Sequence, residues 1–126
     1  MRVILADHNR STVWALQTLL EEEPNMEVVG EATDAQKLLQ LAEQIGTDLV
    51  LVDKGLAEGD IRSLIAKLHA LCPRPIVVVM SSASEDSRVM LRAGADAFVS
   101  KGEQPDWLLQ TLREFANRSF KVDKDG

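Results

Sequence analysis

The chain has 126 residues, of which 45% are hydrophobic and 27% charged, and its formal net charge is −6; these values suit one globular domain. The negative charge and the lack of a lysine or arginine cluster argue against direct nucleic-acid binding by this domain, because phosphate recognition depends on basic groups. No apolar run approaches the ~18 residues of a membrane span, and the single cysteine, Cys72, excludes an internal disulfide and favours a reducing cytoplasm.

Five short apolar runs alternate along the chain with five stretches of helical spacing. The strands are predicted at residues 3–6, 26–32, 49–52, 76–80 and 97–99. The helix starts are predicted from N-capping residues and from a proline, namely Asn9 or Ser11, Asp34, Asp60 and Pro105. This alternation predicts an α/β fold with a parallel sheet covered by helices on both faces. Five strands suit the flavodoxin-like doubly wound order 2-1-3-4-5.

Polar residues follow four of the predicted strands, and the carboxyl ends of parallel strands meet at one edge of a sheet. Asp7 follows the first strand and Asp53 the third. In the order 2-1-3-4-5 these two strands are neighbours at the switch point, where open α/β sheets bind their ligands. Ser81 or Ser82 ends the fourth strand, and Lys101 follows the fifth. We therefore expect these side chains to converge.

Such a group of side chains suits the chemistry of phosphate. Two neighbouring carboxylates repel one another and favour a hard cation such as Mg²⁺, with a backbone carbonyl near Gly55 as a further ligand. A lysine and a hydroxyl could hold phosphoryl oxygens, and a carboxylate beside the ion could accept the phosphoryl group. A small α/β enzyme or nucleotide-binding domain is disfavoured, because no glycine-rich loop follows the first strand and no serine or cysteine elbow is present.

Several motifs make the sequence resemble the receiver domain of two-component response regulators, over about residues 1–118. The resemblance rests on VILAD, EVVGEA, DLVLVD, LRAGADAFVSK and the proline at the start of the last helix. VVGEA and KGEQPD are most similar to the branch that precedes a DNA-binding domain of the LuxR/NarL type. Residues 119–126 are then expected to be a polar tail or linker.

The resemblance implies a role for each residue that matches a family motif. It implies Asp53 as phosphoacceptor and metal ligand, Asp7 and the Gly55 carbonyl as metal ligands, Ser81 (or Ser82) and Lys101 as phosphoryl-contacting residues, and Phe98 as the switch aromatic. It also implies Mg²⁺ as cofactor and a histidine kinase as partner. Phosphorylation would then alter a homodimer at the fourth and fifth strands and last helix, or an output domain. The domain would be no enzyme beyond its own phosphorylation and dephosphorylation.

Two positions in the pocket depart from the family pattern. His8 stands where the family has a second acid, and Lys54 adds a cation directly after Asp53. Imidazole favours transition metals over Mg²⁺, so Mg²⁺ affinity is expected to be weak. His8 has two interpretations: a tolerated substitute without a role, or a lost metal ligand that weakens phosphorylation. The second interpretation leads to an alternative function, a degenerate receiver that acts as a protein-interaction module independently of phosphate.

Overall fold

A computed structural model describes residues 1–102 and 105–125, with the side chains of the last helix described through residue 118. Five strands form one parallel sheet in the order β2-β1-β3-β4-β5. They are β1 (Arg2–Ala6), β2 (Glu27–Ala32), β3 (Leu49–Asp53), β4 (Ile76–Ser81) and β5 (Ala97–Ser100). The flavodoxin-like fold predicted from the sequence is therefore confirmed.

Five helices connect and follow the strands. They are α1 (Arg10–Glu21), α2 (Ala35–Ile45), α3 (Ile61–His69), α4 (Ser87–Arg92) and α5 (Pro105–Asp125). Two short 3-10 turns, Lys54–Ala57 and Ser84–Asp86, follow β3 and precede α4. The backbone of residues 119–125, which the sequence assigned to a polar tail, continues α5.

Side-chain oxygens cap the first three helices. Asn9 Oδ1 accepts a hydrogen bond from the Ser11 N–H at 2.9 Å, so Asn9, rather than Ser11, is the cap of α1. Asp34 and Asp60 cap α2 and α3 in the same way, as their sequence patterns predicted. Such caps satisfy backbone N–H groups that lack partners in the first helical turn.

The sheet separates two hydrophobic cores. One face of β3, with Val50 and Val52, packs into the core that includes residues of α2, α3 and α4. The other face, with Leu49 and Leu51, packs into the core that includes residues of α1 and α5. Since β3 is buried on both faces, its apolar run shows no alternation of polar and apolar residues. No helix in the described ranges is long and apolar enough to cross a membrane.

The register of the strands brings the carboxyl ends together. Ala6 of β1 pairs with Val52 of β3, so the residues that follow them, Asp7 and Asp53, are neighbours at the edge of the sheet. Ser81 of β4 pairs with Ser100 of β5, which places Lys101 on the same edge. The Lys101 N–H also donates to the Ser81 carbonyl at 2.8 Å.

Candidate functional site

Two carboxylates and one ammonium group form the centre of the site. Lys101 Nζ lies 2.5 Å from Asp7 Oδ2 and 2.7 Å from Asp53 Oδ1. Asp7 is fully buried, and Asp53 is 7% exposed. Two buried carboxylates this close to one cation would repel each other strongly without it. The convergence of these three side chains agrees with the expectation from the strand ends.

The ammonium group of Lys101 is stabilised in its charged form. Partial burial disfavours the charge, but the hydrogen bonds to Asp53 and Asp7 outweigh that effect and hold the pKa of Lys101 above its usual value. Lys101 therefore carries a full positive charge at neutral pH, and it neutralises one of the two negative charges in the pocket.

Backbone N–H groups orient the remaining carboxylate oxygens. The Asn9 N–H donates to Asp7 Oδ1 at 2.9 Å, and the Gly55 N–H donates to Asp53 Oδ2 at 2.9 Å. Each carboxylate thus has one oxygen bound to Lys101 and the other held by the turn that follows its strand. The two carboxylates are preorganised in their positions.

His8 lies on the side of the pocket away from the lysine contacts. His8 Nδ1 is 3.6 Å from Asp7 Oδ1 and 3.7 Å from Asp53 Oδ2, and its side chain is largely exposed. One donor atom from each of Asp7, His8 and Asp53 can be chosen so that all three lie within 4.8 Å of one another. These three residues form an acidic cluster whose donor atoms are close enough together for one cation to bind them.

Gly55 leaves the space beside this cluster open. A Cβ at this position would lie 2.9 Å from Asp53 Oδ2 and 3.4 Å from His8 Cε1. The Gly55 carbonyl, for which the resemblance implies a role as metal ligand, accepts a hydrogen bond from the Glu58 N–H at 3.4 Å within the 3-10 turn. A carbonyl oxygen has two lone pairs, so one remains available for a metal ion.

The donor atoms of the cluster suit a divalent cation, but its oxygen and nitrogen donors favour different metals. Carboxylate and carbonyl oxygens are the ligands that Mg²⁺ prefers. The third side-chain donor, His8 Nδ1, is an imidazole nitrogen, which suits zinc, copper, iron or nickel better than magnesium. The cluster therefore offers Mg²⁺ one side-chain oxygen fewer than a pocket with three acids would.

Ser81 and Ser82 differ sharply in position. Ser81 is the last residue of β4 and is buried, whereas Ser82 is exposed. The Ser81 hydroxyl donates to Asp86 Oδ2 at 2.7 Å and accepts from the Ala83 N–H at 3.1 Å. Ser81 pairs with Ser100 of β5, the residue that directly precedes Lys101, so Ser81 is the serine at the Lys101 edge of the sheet.

Asp86 is a residue whose part in the site the sequence reasoning missed. Its carboxylate also binds Lys54, with Nζ of Lys54 2.9 Å from Asp86 Oδ2. The hydrogen bond from Lys54 and then that from Ser81 hold the pKa of Asp86 below its usual range. Lys54 is thus paired with Asp86 on the surface. Asp86 follows Ser81 by only five residues, which was the signal that the sequence offered for their contact. The 3-10 turn Ser84–Asp86, which places the carboxylate near the Ser81 hydroxyl, was not predicted.

Phe98 lies further from the charged centre, on β5. It is partly buried and packs against the hydrophobic core that includes residues of α2, α3 and α4. A cavity of about 160 Å³ lies beside it, lined also by Trp107 of α5 and Ser87 of α4. The Phe98 side chain therefore has open space next to it.

Comparison with known proteins agrees with this architecture. The chain matches the response regulator receiver domain over residues 3–113. The nitrate/nitrite response regulator protein NarP of Escherichia coli K12 is 30% identical over 121 residues, which cover 94% of this chain and 56% of NarP. The chain spans little more than half the length of NarP and of two further curated relatives, YhcZ of Bacillus subtilis and NarL of Escherichia coli K12.

Solved structures give the same result. A CheY-like receiver domain protein from Methanospirillum hungatei JF-1 is 28% identical, with a TM-score of 0.80 and coverage of 99% of this chain and 98% of that one. A chain in the complex of the CheA3 P1 domain with CheY6 from R. sphaeroides is 25% identical, with a TM-score of 0.76 and coverage of 90% and 95%. The chain described here belongs to the response regulator receiver domains of two-component systems.

Proposed function

We propose that the chain accepts a phosphoryl group on Asp53 from a histidine kinase and changes conformation in response. The observation that carries the proposal is the contact of one ammonium group, that of Lys101, with the carboxylates of both Asp7 and Asp53. A cation beside a buried carboxylate can stabilise the charge of an incoming phosphoryl group. Membership in the receiver family supports the same role.

In the proposed reaction, an Asp53 oxygen attacks phosphorus and forms an acyl phosphate, while the bond from phosphorus to the kinase histidine breaks and its electron pair stays on the imidazole nitrogen. Lys101 exchanges its contact with Asp53 Oδ1 for one with a phosphoryl oxygen. Mg²⁺, held weakly by Asp7, Asp53 and the Gly55 carbonyl, would supply further charge neutralisation.

The conformational response is proposed to begin at Ser81 rather than at Ser82. The buried hydroxyl of Ser81 would leave Asp86 and bind a phosphoryl oxygen. That movement would shift β4 relative to the short α4 and allow Phe98 to move into the adjacent cavity. A local change of charge would in this way alter the surface formed by α4, β5 and α5.

This surface is the proposed site of homodimerisation or partner binding. Val89 and Leu91 of α4 and Trp107 of α5 are between 47% and 58% exposed. Exposed apolar groups on neighbouring elements favour a protein partner. A kinase partner is supported by the likeness to one chain of the complex between the CheA3 P1 domain and CheY6.

The output is proposed to lie outside residues 1–118. NarP, a response regulator by its name, extends well beyond the region that this chain matches. We propose that residues 119–126 lead towards such an output region, and that this acidic domain itself does not bind nucleic acid or membrane. Beyond its own phosphorylation and dephosphorylation, we assign no enzymatic activity to it, and we propose a cytoplasmic location.

The test is phosphorylation of the purified chain with Mg²⁺ and a small-molecule phosphodonor, followed by mass measurement of the intact protein. We expect the mass to increase by one phosphoryl group in the wild type and to stay unchanged in Asp53→Asn. An unmodified wild type at every Mg²⁺ concentration would overturn the proposal.

The second candidate is a degenerate receiver that binds partners independently of phosphate. His8 in the acidic cluster and the Lys54–Asp86–Ser81 contacts favour it, because both alter the charge around Asp53. In that case Asp53→Asn would bind its partner as the wild type does. The primary proposal predicts instead that, after phosphodonor treatment, the wild type and Asp53→Asn differ in partner binding. His8→Asp is expected to tighten Mg²⁺ binding, since it restores an oxygen ligand.

A further inference from the structure

The three donors on the His8 side of the pocket are too far apart for hydrogen bonds among themselves. His8 Nδ1 is 3.6 Å from Asp7 Oδ1 and 3.7 Å from Asp53 Oδ2, and neither distance is a hydrogen bond. Lys101 occupies the opposite oxygens, Asp7 Oδ2 and Asp53 Oδ1. His8 Nδ1 and the two carboxylate oxygens therefore lie close together on the side of the pocket that Lys101 does not contact.

The two distances from His8 match those between ligands that share one metal ion. In a tetrahedral site with bonds of about 2.0 to 2.2 Å, neighbouring ligand atoms are about 3.3 to 3.6 Å apart. The measured distances of 3.6 and 3.7 Å reach this range with a shift of the exposed imidazole of only a few tenths of an ångström.

The surroundings hold these carboxylates in place before any ion binds. The Asn9 and Gly55 N–H groups each donate at 2.9 Å to the carboxylate oxygen that faces His8. Hydrogen bonds to ligand oxygens are a common feature of metal sites, where they fix the orientation of the ligand. The missing Cβ of Gly55 keeps the space between Asp53 and His8 open.

Charge also favours a divalent cation. The pocket holds two carboxyl groups, those of Asp7 and Asp53, against the single ammonium group of Lys101. The combination of one imidazole and two carboxylates is poorer for Mg²⁺ than an all-oxygen site, and it suits borderline ions of the Zn²⁺ type.

We propose that Asp7, His8 and Asp53 bind a divalent transition-metal ion of the Zn²⁺ type in preference to Mg²⁺, with His8 Nδ1 as the nitrogen ligand. The proposal uses the same pocket as the phosphoryl acceptance proposed above and changes the ion assigned to it. His8 then becomes the residue that determines which metal the pocket selects, since the two aspartates provide oxygen in either case.

The test compares Zn²⁺ and Mg²⁺ binding by titration calorimetry on the full chain. The Cys72→Ser variant serves as the reference protein, because the exposed thiol of Cys72 is another Zn²⁺ ligand. We expect Zn²⁺ to bind more tightly than Mg²⁺. We also expect His8→Ala to weaken Zn²⁺ binding about tenfold or more, because even the loss of a residue that only supports a metal ligand costs at least about tenfold in affinity. His69→Gln is the matched control, since His69 is the other histidine of the chain and binds Asp96 instead.

Cobalt absorption provides a second measurement. Co²⁺ bound to the reference protein should give visible bands that His69→Gln retains and His8→Ala loses. His8→Asp should reverse the preference, with tighter Mg²⁺ and weaker Zn²⁺ binding. Equal Zn²⁺ affinity in the reference protein and in His8→Ala would overturn the proposal. Because these titrations contain no phosphodonor, their result is independent of whether Asp53 accepts a phosphoryl group in the mass measurement.

Discussion

The Ser81 hydroxyl donates a hydrogen bond to Asp86 Oδ2 at 2.7 Å, although Ser81 lies at the end of β4 beside the charged pocket. Asp86 is held in turn by Lys54, whose ammonium group is 2.9 Å from the same oxygen. The hydroxyl that we propose to bind a phosphoryl oxygen is thus engaged by Asp86 in this structure. If Ser81 has that role, its contact with Asp86 competes with phosphorylation.

We expect Asp86→Ala to speed phosphorylation of Asp53 by a small-molecule phosphodonor severalfold, because the Ser81 hydroxyl no longer has a competing hydrogen bond to a charged acceptor. The rate is followed by mass measurement of the intact protein. Glu85→Ala, which removes the exposed carboxylate of the preceding residue, should leave the rate unchanged. An unaltered rate in Asp86→Ala would show that the Ser81 contact does not restrain the reaction.

Lys101→Met is expected to destabilise the fold. The substitution leaves the Asp7 and Asp53 carboxylates together without their cation, which should lower the free energy of unfolding by roughly 2 kcal/mol, less than for a fully buried pair because the pocket opens to solvent. Urea denaturation measures the change. In the Lys101→Met background, Asp53→Asn should restore part of the loss, while Lys37→Met, at an exposed lysine of α2, should be neutral.

Gly55→Ala tests the space beside Asp53. The new Cβ would lie 2.9 Å from Asp53 Oδ2, so the carboxylate or the turn must shift, at a cost of about 1 to 3 kcal/mol of stability. We also expect slower phosphorylation, since the acceptor oxygen is displaced. In Gly102→Ala the nearest described atom to the new Cβ is Ser100 Oγ at 3.8 Å, an ordinary contact distance, so this variant is the matched control. Equal stability of Gly55→Ala and wild type would contradict the crowding argument.

The contact between Glu23 and Arg113 should make stability depend on acidic pH. The hydrogen bond from the Arg113 guanidinium holds the pKa of Glu23 below its usual value, and links the end of α1 to α5. A depressed pKa contributes stability above the unfolded value of about 4.3, and this contribution is lost as the pH falls through the folded value. Protonation then breaks the charged contact.

Thermal unfolding of wild type and Glu23→Gln between neutral and strongly acidic pH measures this contribution. Near neutral pH the wild type should have a higher melting temperature than Glu23→Gln. This difference between the two proteins should disappear at low pH. Glu21→Gln, at an exposed residue of α1, should show no such trend. A difference that stays constant over the whole range would mean that the charge of Glu23 is not responsible.

Several features of the fold and site follow from the sequence alone. The apolar runs predict the strands because side chains on a doubly covered parallel sheet must be apolar on both faces. The alternation with helices predicts a parallel sheet, and five strands suit the order 2-1-3-4-5. Once that order is known, Asp7, Asp53 and Lys101 must share one edge, since each stands at the carboxyl end of a strand or directly after it.

Only the tertiary structure decided how the side chains around this edge are used. It shows Asn9 as the cap of α1, buries Ser81 rather than Ser82, connects Ser81 to Asp86, and turns His8 Nδ1 towards both carboxylates. Strand periodicity carries no information on these points, because they depend on loop conformation and on side-chain rotamers. Both are determined by packing between residues that are distant in the chain.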